Sequence, residues 1–241
     1  MKSTVLACTI SLLLASTTYS YAQESTYNNT DFAIASVKVT HNTDFDVTVW
    51  QMNVKGTAGL TTPTKVGQLD GAQVLGYVFP TNLKSADVGF SESDGIVALA
   101  LTSHPDFDDT PLWDENSDSI FDNDGIVWHP HWVVLIEDKR VEGGLSVKQF
   151  KKAANTVVLP PTNPGMPMYM DSPGYPVKTS ESTIKVVVPD YRINNKTDFS
   201  FDGVTAFMKV NTSNADLPML GVYEVFSVAS GDLSLPYRVQ Q

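Results

Sequence analysis

The sequence predicts a mainly β protein: an antiparallel β-sandwich or barrel-like sheet with one short helix and a long proline-rich loop. Runs of alternating or β-branched residues recur along the chain, turn residues separate them, and only one stretch carries helix-start chemistry.

Residues 1–22 read as a secretory signal peptide. Lys2 gives a basic start, residues 5–15 an apolar stretch, and Ser20-Tyr21-Ala22 a small-residue ending. The apolar stretch is too short to span a bilayer, so no membrane insertion is expected after leader cleavage. The expected location is secreted or periplasmic. Cys8, the only cysteine, would leave with the leader, so the mature protein must hold together without a disulfide.

Strands are expected at residues 32–39, 45–50, 74–79, 96–101, 126–136, 156–159, 184–188, 204–210 and 221–228. His41-Asn42-Thr43-Asp44 reads as a hairpin turn, with His41 a turn residue. Ser146 with Gln149 three residues on is a capping-box pattern, and Leu145 and Phe150 stand at staple positions, so a helix is expected over 147–154. Residues 160–176 hold six prolines and little helical freedom, which fits a linker or an ordered loop. The C-terminal piece beyond this stretch is short for an independent unit. One domain is therefore expected over 23–241, with an acidic loop insertion around 104–125.

Charge is unevenly placed. Lys and Arg number 16 against 27 Asp and Glu, giving a net charge of −11. A nucleic-acid partner is disfavoured, because phosphate binding needs clustered cations. Between Lys84 and Lys139 there is no base at all, yet this interval holds three of the four histidines and about half the acids. Asp87, Glu92, Asp94, Glu137 and Asp138 read as a solvated face. Around His104-Pro105-Asp106-Phe107-Asp108-Asp109, prolines and aromatics stiffen and bury the chain, and cations would relieve the crowded carboxylates.

This region supports two metal readings. Asp114, Asn116 and Asp118 place oxygen side chains at alternate positions, the opening of a calcium loop, with Asp122 and Asp124 close behind. The pattern departs from an EF-hand: Ser119 stands where the turn glycine belongs and Gly125 where a bidentate Glu is expected. The alternative for this stretch is an acidic turn with no ion.

The second reading is a zinc or copper centre. His129 and His131 share a face of an extended segment, and Pro130 between them marks a strand edge or entrance. His104 follows another strand and can complete a three-histidine set, with Asp106 or Asp108 as fourth ligand or as acceptor for an imidazole N–H. Trp128 and Trp132 fall on the opposite face. The donor set is similar to that of carbonic-anhydrase-like and cupin-like sites, with no further motif in common.

Other chemistries are less supported. No nucleophile elbow, dinucleotide fingerprint or phosphate loop occurs, and cysteine catalysis is excluded in the mature chain. Trp50, Trp113, Trp128, Trp132, Tyr169 and Tyr175 could stack on carbohydrate, though core packing explains most of them better. Met166, Met168 and Met170 read as gap-fillers rather than Cu(I) ligands. The sequence therefore points to an exported protein binding divalent metal ions. The alternatives are a metal-dependent hydrolase or lyase using the same ligands, and a non-catalytic binding module with structural calcium and an unidentified protein or carbohydrate partner.

Overall fold

A computed structural model of the chain describes residues 26–110, 114, 119–120, 125–151 and 156–241. The expected leader lies outside the described residues. The strands are β1 (Ile34–Asn42), β2 (Val47–Val54), β3 (Gln73–Pro80), β4 (Ile96–Ser103), β5 (His129–Glu137), β6 (Leu145–Val147), β7 (Met170–Asp171), β8 (Val177–Ser180), β9 (Thr183–Pro189), β10 (Ser200–Phe201), β11 (Val204–Val210), β12 (Leu220–Val228) and β13 (Tyr237–Arg238).

All strand pairings between these elements are antiparallel. One sheet runs β4-β3-β11-β12-β6-β5 and closes on itself, because β5 also pairs β4; β7 lies along β5 outside this ring. The result is a six-stranded barrel, which removes the unpaired edges an open sheet would present. A second sheet, β1-β2-β9-β8, covers one outer face of the barrel, and β10 and β13 form a small ribbon.

Strand parity divides the core in two. In β4, Val97, Leu99 and Leu101 point outward, while Ala98, Ala100 and Thr102 point into the barrel. In β3, Leu75, Tyr77 and Phe79 join the outward set and Val74 and Val78 the inward one. With both faces covered, these strands read as continuous apolar runs rather than as strict alternation.

The outer layer is aromatic and tight. Trp50 of β2 is fully buried; it stacks on Phe199 at 5.1 Å and meets Phe79 and Trp132 edge-on at 5.6 and 5.8 Å. Its indole N–H donates to Thr48 Oγ1 at 2.8 Å, so the buried donor is satisfied. Trp128, Trp132, Tyr169 and Tyr175 are buried too, so these rings serve the core rather than an exposed sugar platform. Trp113 lies outside the described residues.

Several sequence expectations are corrected. Residues 145–147 form β6, paired with β5 and β12, where the start of a helix was expected, and residues 148–151 continue without helix. The end of that expected helix, 152–154, lies outside the described residues. Ser146 does not cap: its hydroxyl donates to buried Asp138 at 2.7 Å, and Gln149 bridges to Met168. Local capping chemistry loses here to barrel closure, which needs a strand between β12 and β5. Asp138, expected in water, is buried and also bound by Arg140, whose guanidinium hydrogen bonds hold its carboxyl below the usual range.

Residues 156–159 form no strand; Val158 exchanges hydrogen bonds with Ser91 instead. His41 stands in β1, not in the turn, and its Nε2 lies 2.7 Å from Asp190 Oδ2. The stretch 160–176 is an ordered segment laid on the barrel, contributing β7 and the buried side chains of Met168 and Met170. Among the described residues no helix is long and apolar enough to cross a membrane.

Trp50→Ala removes the ring on which this outer layer converges. We expect it to cost about 3–5 kcal/mol in denaturant unfolding, the usual range for deleting a buried aromatic. A loss under about 1 kcal/mol would show that the covering sheet does not depend on this contact.

Candidate metal centre

His129 and His131 occupy the first and third positions of β5 and point to the barrel's inward face. They pair with Thr102 and Ala100 of β4, while Pro130 lies opposite Leu101. Among the described residues, β4 is the one strand paired with β5 here, since β7 pairs from Trp132 and β6 from Leu135 onward. The missing proline N–H therefore leaves no ladder bond unmade.

His104 follows β4 directly. Its backbone N–H donates to Gly125 O at 2.6 Å, and Ser103 Oγ donates to Ile126 O at 2.7 Å, tying the end of β4 to the approach to β5. Gly125 has φ of +101°, and a Cβ there would stand 2.5 Å from His104 O and 2.4 Å from Phe107 O. This position needs glycine for close approach and for its dihedral, where a calcium loop of the EF-hand kind would carry a ligand.

The structure brings His104, His129 and His131 together with Asp109; all four are buried, and one donor atom from each lies within 4.8 Å of the others. Asp109 Oδ1 is 3.2 Å from His104 Nε2, 3.6 Å from His131 Nε2 and 3.7 Å from His129 Nε2. Edges of a tetrahedron built on 2.0–2.1 Å bonds are about 3.3 Å. The His104–His129 Nε2 pair is closer, at 2.7 Å.

What surrounds the rings sets their tautomers. His104 Nδ1 lies 2.8 Å from Phe107 O and His129 Nδ1 lies 2.6 Å from Val127 O. A carbonyl only accepts, so both Nδ1 atoms carry a proton, and Nε2 of each ring, the atom that offers a lone pair when Nδ1 holds the only proton, faces inward. His131 Nδ1 sits 3.0 Å from Ser172 Oγ, and the ring also hydrogen-bonds the Asp171 backbone. Phe107 stacks on His104 at 4.2 Å, nearly parallel. Each imidazole is thus oriented from behind, as metal-binding histidines are.

Three Nε2 atoms then converge on a carboxylate oxygen. Asp109 Oδ1 is buried with no hydrogen bond of acceptable geometry. Burial opposes ionisation of Asp109, but coulombic attraction to His131 and His104 holds the carboxyl well below its usual range; neutral rings exert no such pull, so ionised Asp109 calls for a proton or a cation among the four groups. Burial pushes His131 down to about 3, with the other two imidazoles adding to the effect against the pull of Asp109. Ionised carboxylate and neutral imidazole are the forms in which both groups donate to a metal.

The carboxylate that the structure brings to the three histidines is Asp109; Asp106 and Asp108 are engaged elsewhere. Strict alternation from His104 would aim 106 and 108 inward, but the turn at Pro105 and Asp106 shifts parity by one. Asp106 instead accepts the backbone N–H groups of Val66 and Gly67 at 2.9 and 2.6 Å. Asp108 is used locally, accepting from the backbone N–H and hydroxyl of Thr110. Asp-x-Thr is an Asx-turn pattern, and this signal could have shown that Asp108 was committed and Asp109 free to turn inward.

Of the calcium-loop residues, Asp114 accepts the Ser119 N–H at 2.8 Å, and Ser119 takes the left-handed φ of +65° that a turn glycine would. Asn116, Asp118, Asp122 and Asp124 lie outside the described residues.

The depressed His131 has a consequence for acid stability. Between about 6.5, its value when unfolded, and about 3, the unfolded chain binds a proton that the folded, ion-free chain does not. Stability of the ion-free protein should therefore fall as pH is lowered through this window. The urea midpoint followed against pH checks this, and the decline should be shallower in His131→Gln. Equal slopes in the two proteins would overturn it.

The chain matches no protein-family model, and no curated protein or solved structure matches it at a significant level, so the functional reading rests on this donor geometry.

Proposed function

We propose that the protein binds one divalent transition-metal ion, zinc or copper, through His104, His129, His131 and Asp109, and that it does so as an exported protein. The observation that supports this most strongly is the convergence of inward lone pairs on the buried, unsatisfied oxygen of Asp109. A single proton could bridge one pair of these donors. A doubly charged ion satisfies all four at once, and imidazole with carboxylate is a donor set that suits zinc and copper. The export reading rests on the layout of residues 1–22.

Four protein donors complete a tetrahedral shell, which favours a binding or structural role over catalysis. The hydrolase or lyase alternative is supported by access: His104, Asp109 and His131 line the cavity inside the barrel. An ion that expands its coordination on that side could present a water of lowered pKa. A calcium ion on the loop containing Asp114 would be additional and structural.

Protein purified without a histidine tag should carry about one zinc or copper ion per chain and lose thermal stability on chelation. His131→Ala and Asp109→Asn should weaken binding by more than the roughly 10–100-fold typical of outer-shell changes. Asp106→Asn and Asp108→Asn should leave stoichiometry unchanged. A protein that takes up neither ion, or that keeps its ion in both donor variants, would overturn the assignment. If chelation lowers stability while the donor variants retain normal zinc affinity, the oxygen-rich loop is the site instead.

A further inference from the structure

Closure of six strands normally leaves an interior filled by side chains. Here the inward positions include Ala98, Ala100 and Ala206, and Gly76 stands where a Cβ would lie 2.7 Å from Met208 Cε. A cavity of about 140 Å³ remains. Val74, Val78, Val133, Met168, Met170 and Met208 form much of its wall, and among the described residues Thr102 is its one polar side chain apart from the histidines and Asp109. At one end are His104, Asp109 and His131. At the other are Pro80, Ile96 and Leu233, and the exposure of Ile96 and Leu233 marks where the cavity meets solvent. Ile96 and Thr102 are six residues apart on β4, so these ends lie about 20 Å apart along the strand.

Size and charge together define an occupant. A dry apolar cavity of about 150 Å³ holds a molecule the size of benzene. A divalent ion with one carboxylate ligand keeps a net positive charge, and the described residues of the cavity lining include no second acid to balance it. In apolar surroundings such a charge favours a bound anion. We infer that the barrel interior and the metal centre form one pocket for a small amphipathic monocarboxylate. Its carboxylate oxygen takes a fifth position at the ion, on the cavity side beside His104, Asp109 and His131, and its apolar body of about six to eight carbons fills the barrel. This inference rests on the metal reading above and adds the class of ligand.

Zinc-loaded protein titrated calorimetrically with acetate, butyrate, hexanoate, octanoate and benzoate tests it. Affinity should rise about fourfold per methylene until the cavity is full and then level off. Ala206→Leu, which fills the cavity from β11, a strand that carries none of the donors, should keep its zinc and lose at least tenfold in hexanoate and benzoate affinity while acetate is unaffected. Ala206→Val serves the same purpose if the first variant fails to fold. Hexanoate should also bind at least tenfold more weakly to zinc-free protein. Normal zinc uptake without chain-length dependence, or equal hexanoate affinity with and without zinc, overturns this inference and leaves the metal site standing. Failure to take up zinc or copper removes both.

Discussion

The arrangement depends on one constraint: two backbone carbonyls, Phe107 O and Val127 O, decide where the imidazole protons sit. By accepting from Nδ1 of His104 and His129 they turn the Nε2 lone pairs of both rings toward Asp109 Oδ1. Like-signed lone pairs and a carboxylate in a buried space repel one another unless something positive lies between them. Much of the local structure serves to hold the donors in that posture: the strap from Gly125 to His104, the stacked Phe107 and the Ser172 hydroxyl behind His131.

The barrel explains how such a group can be held firmly without a disulfide. Its outer face is locked by Trp50, Trp132, Phe79 and Phe199 against the four-stranded sheet, so β5 and β3 cannot shift relative to β2 without breaking aromatic contacts. Rigid packing on one face of β5 thereby positions the two histidines on its other face. Slipping the register of a strand by one residue would exchange these faces, so the same contacts that stabilise the fold also specify the site.

The two faces of the barrel wall are built on opposite principles. Outside, large buried rings occupy the space; inside, alanines and a glycine leave it open and methionines line it with adaptable thioethers. Leaving a core underfilled lowers stability, because cavity walls forgo dispersion contacts. That this happens beside the cluster of buried His104, Asp109, His129 and His131 links the space to the candidate metal centre.

Period-two alternation depends only on local backbone geometry, and it was enough to read the mainly β class, most of the long strands, and the placement of His129 with His131 on one face. It also showed that His104 ends a strand. It did not reveal β6, where a capping pattern at Ser146 outweighed three residues of strand, or the short β7, β8, β10 and β13, whose register depends on neighbours found only in the folded chain. That Asp109, and not Asp106 or Asp108, faces the imidazoles was settled by the folded chain. One turn at Pro105 inverts parity, and Val66 and Gly67 claim the Asp106 carboxylate from about forty residues away. Barrel closure was likewise a matter of tertiary structure, since the pairing of β4 with β5 is a long-range choice among several strands that read alike.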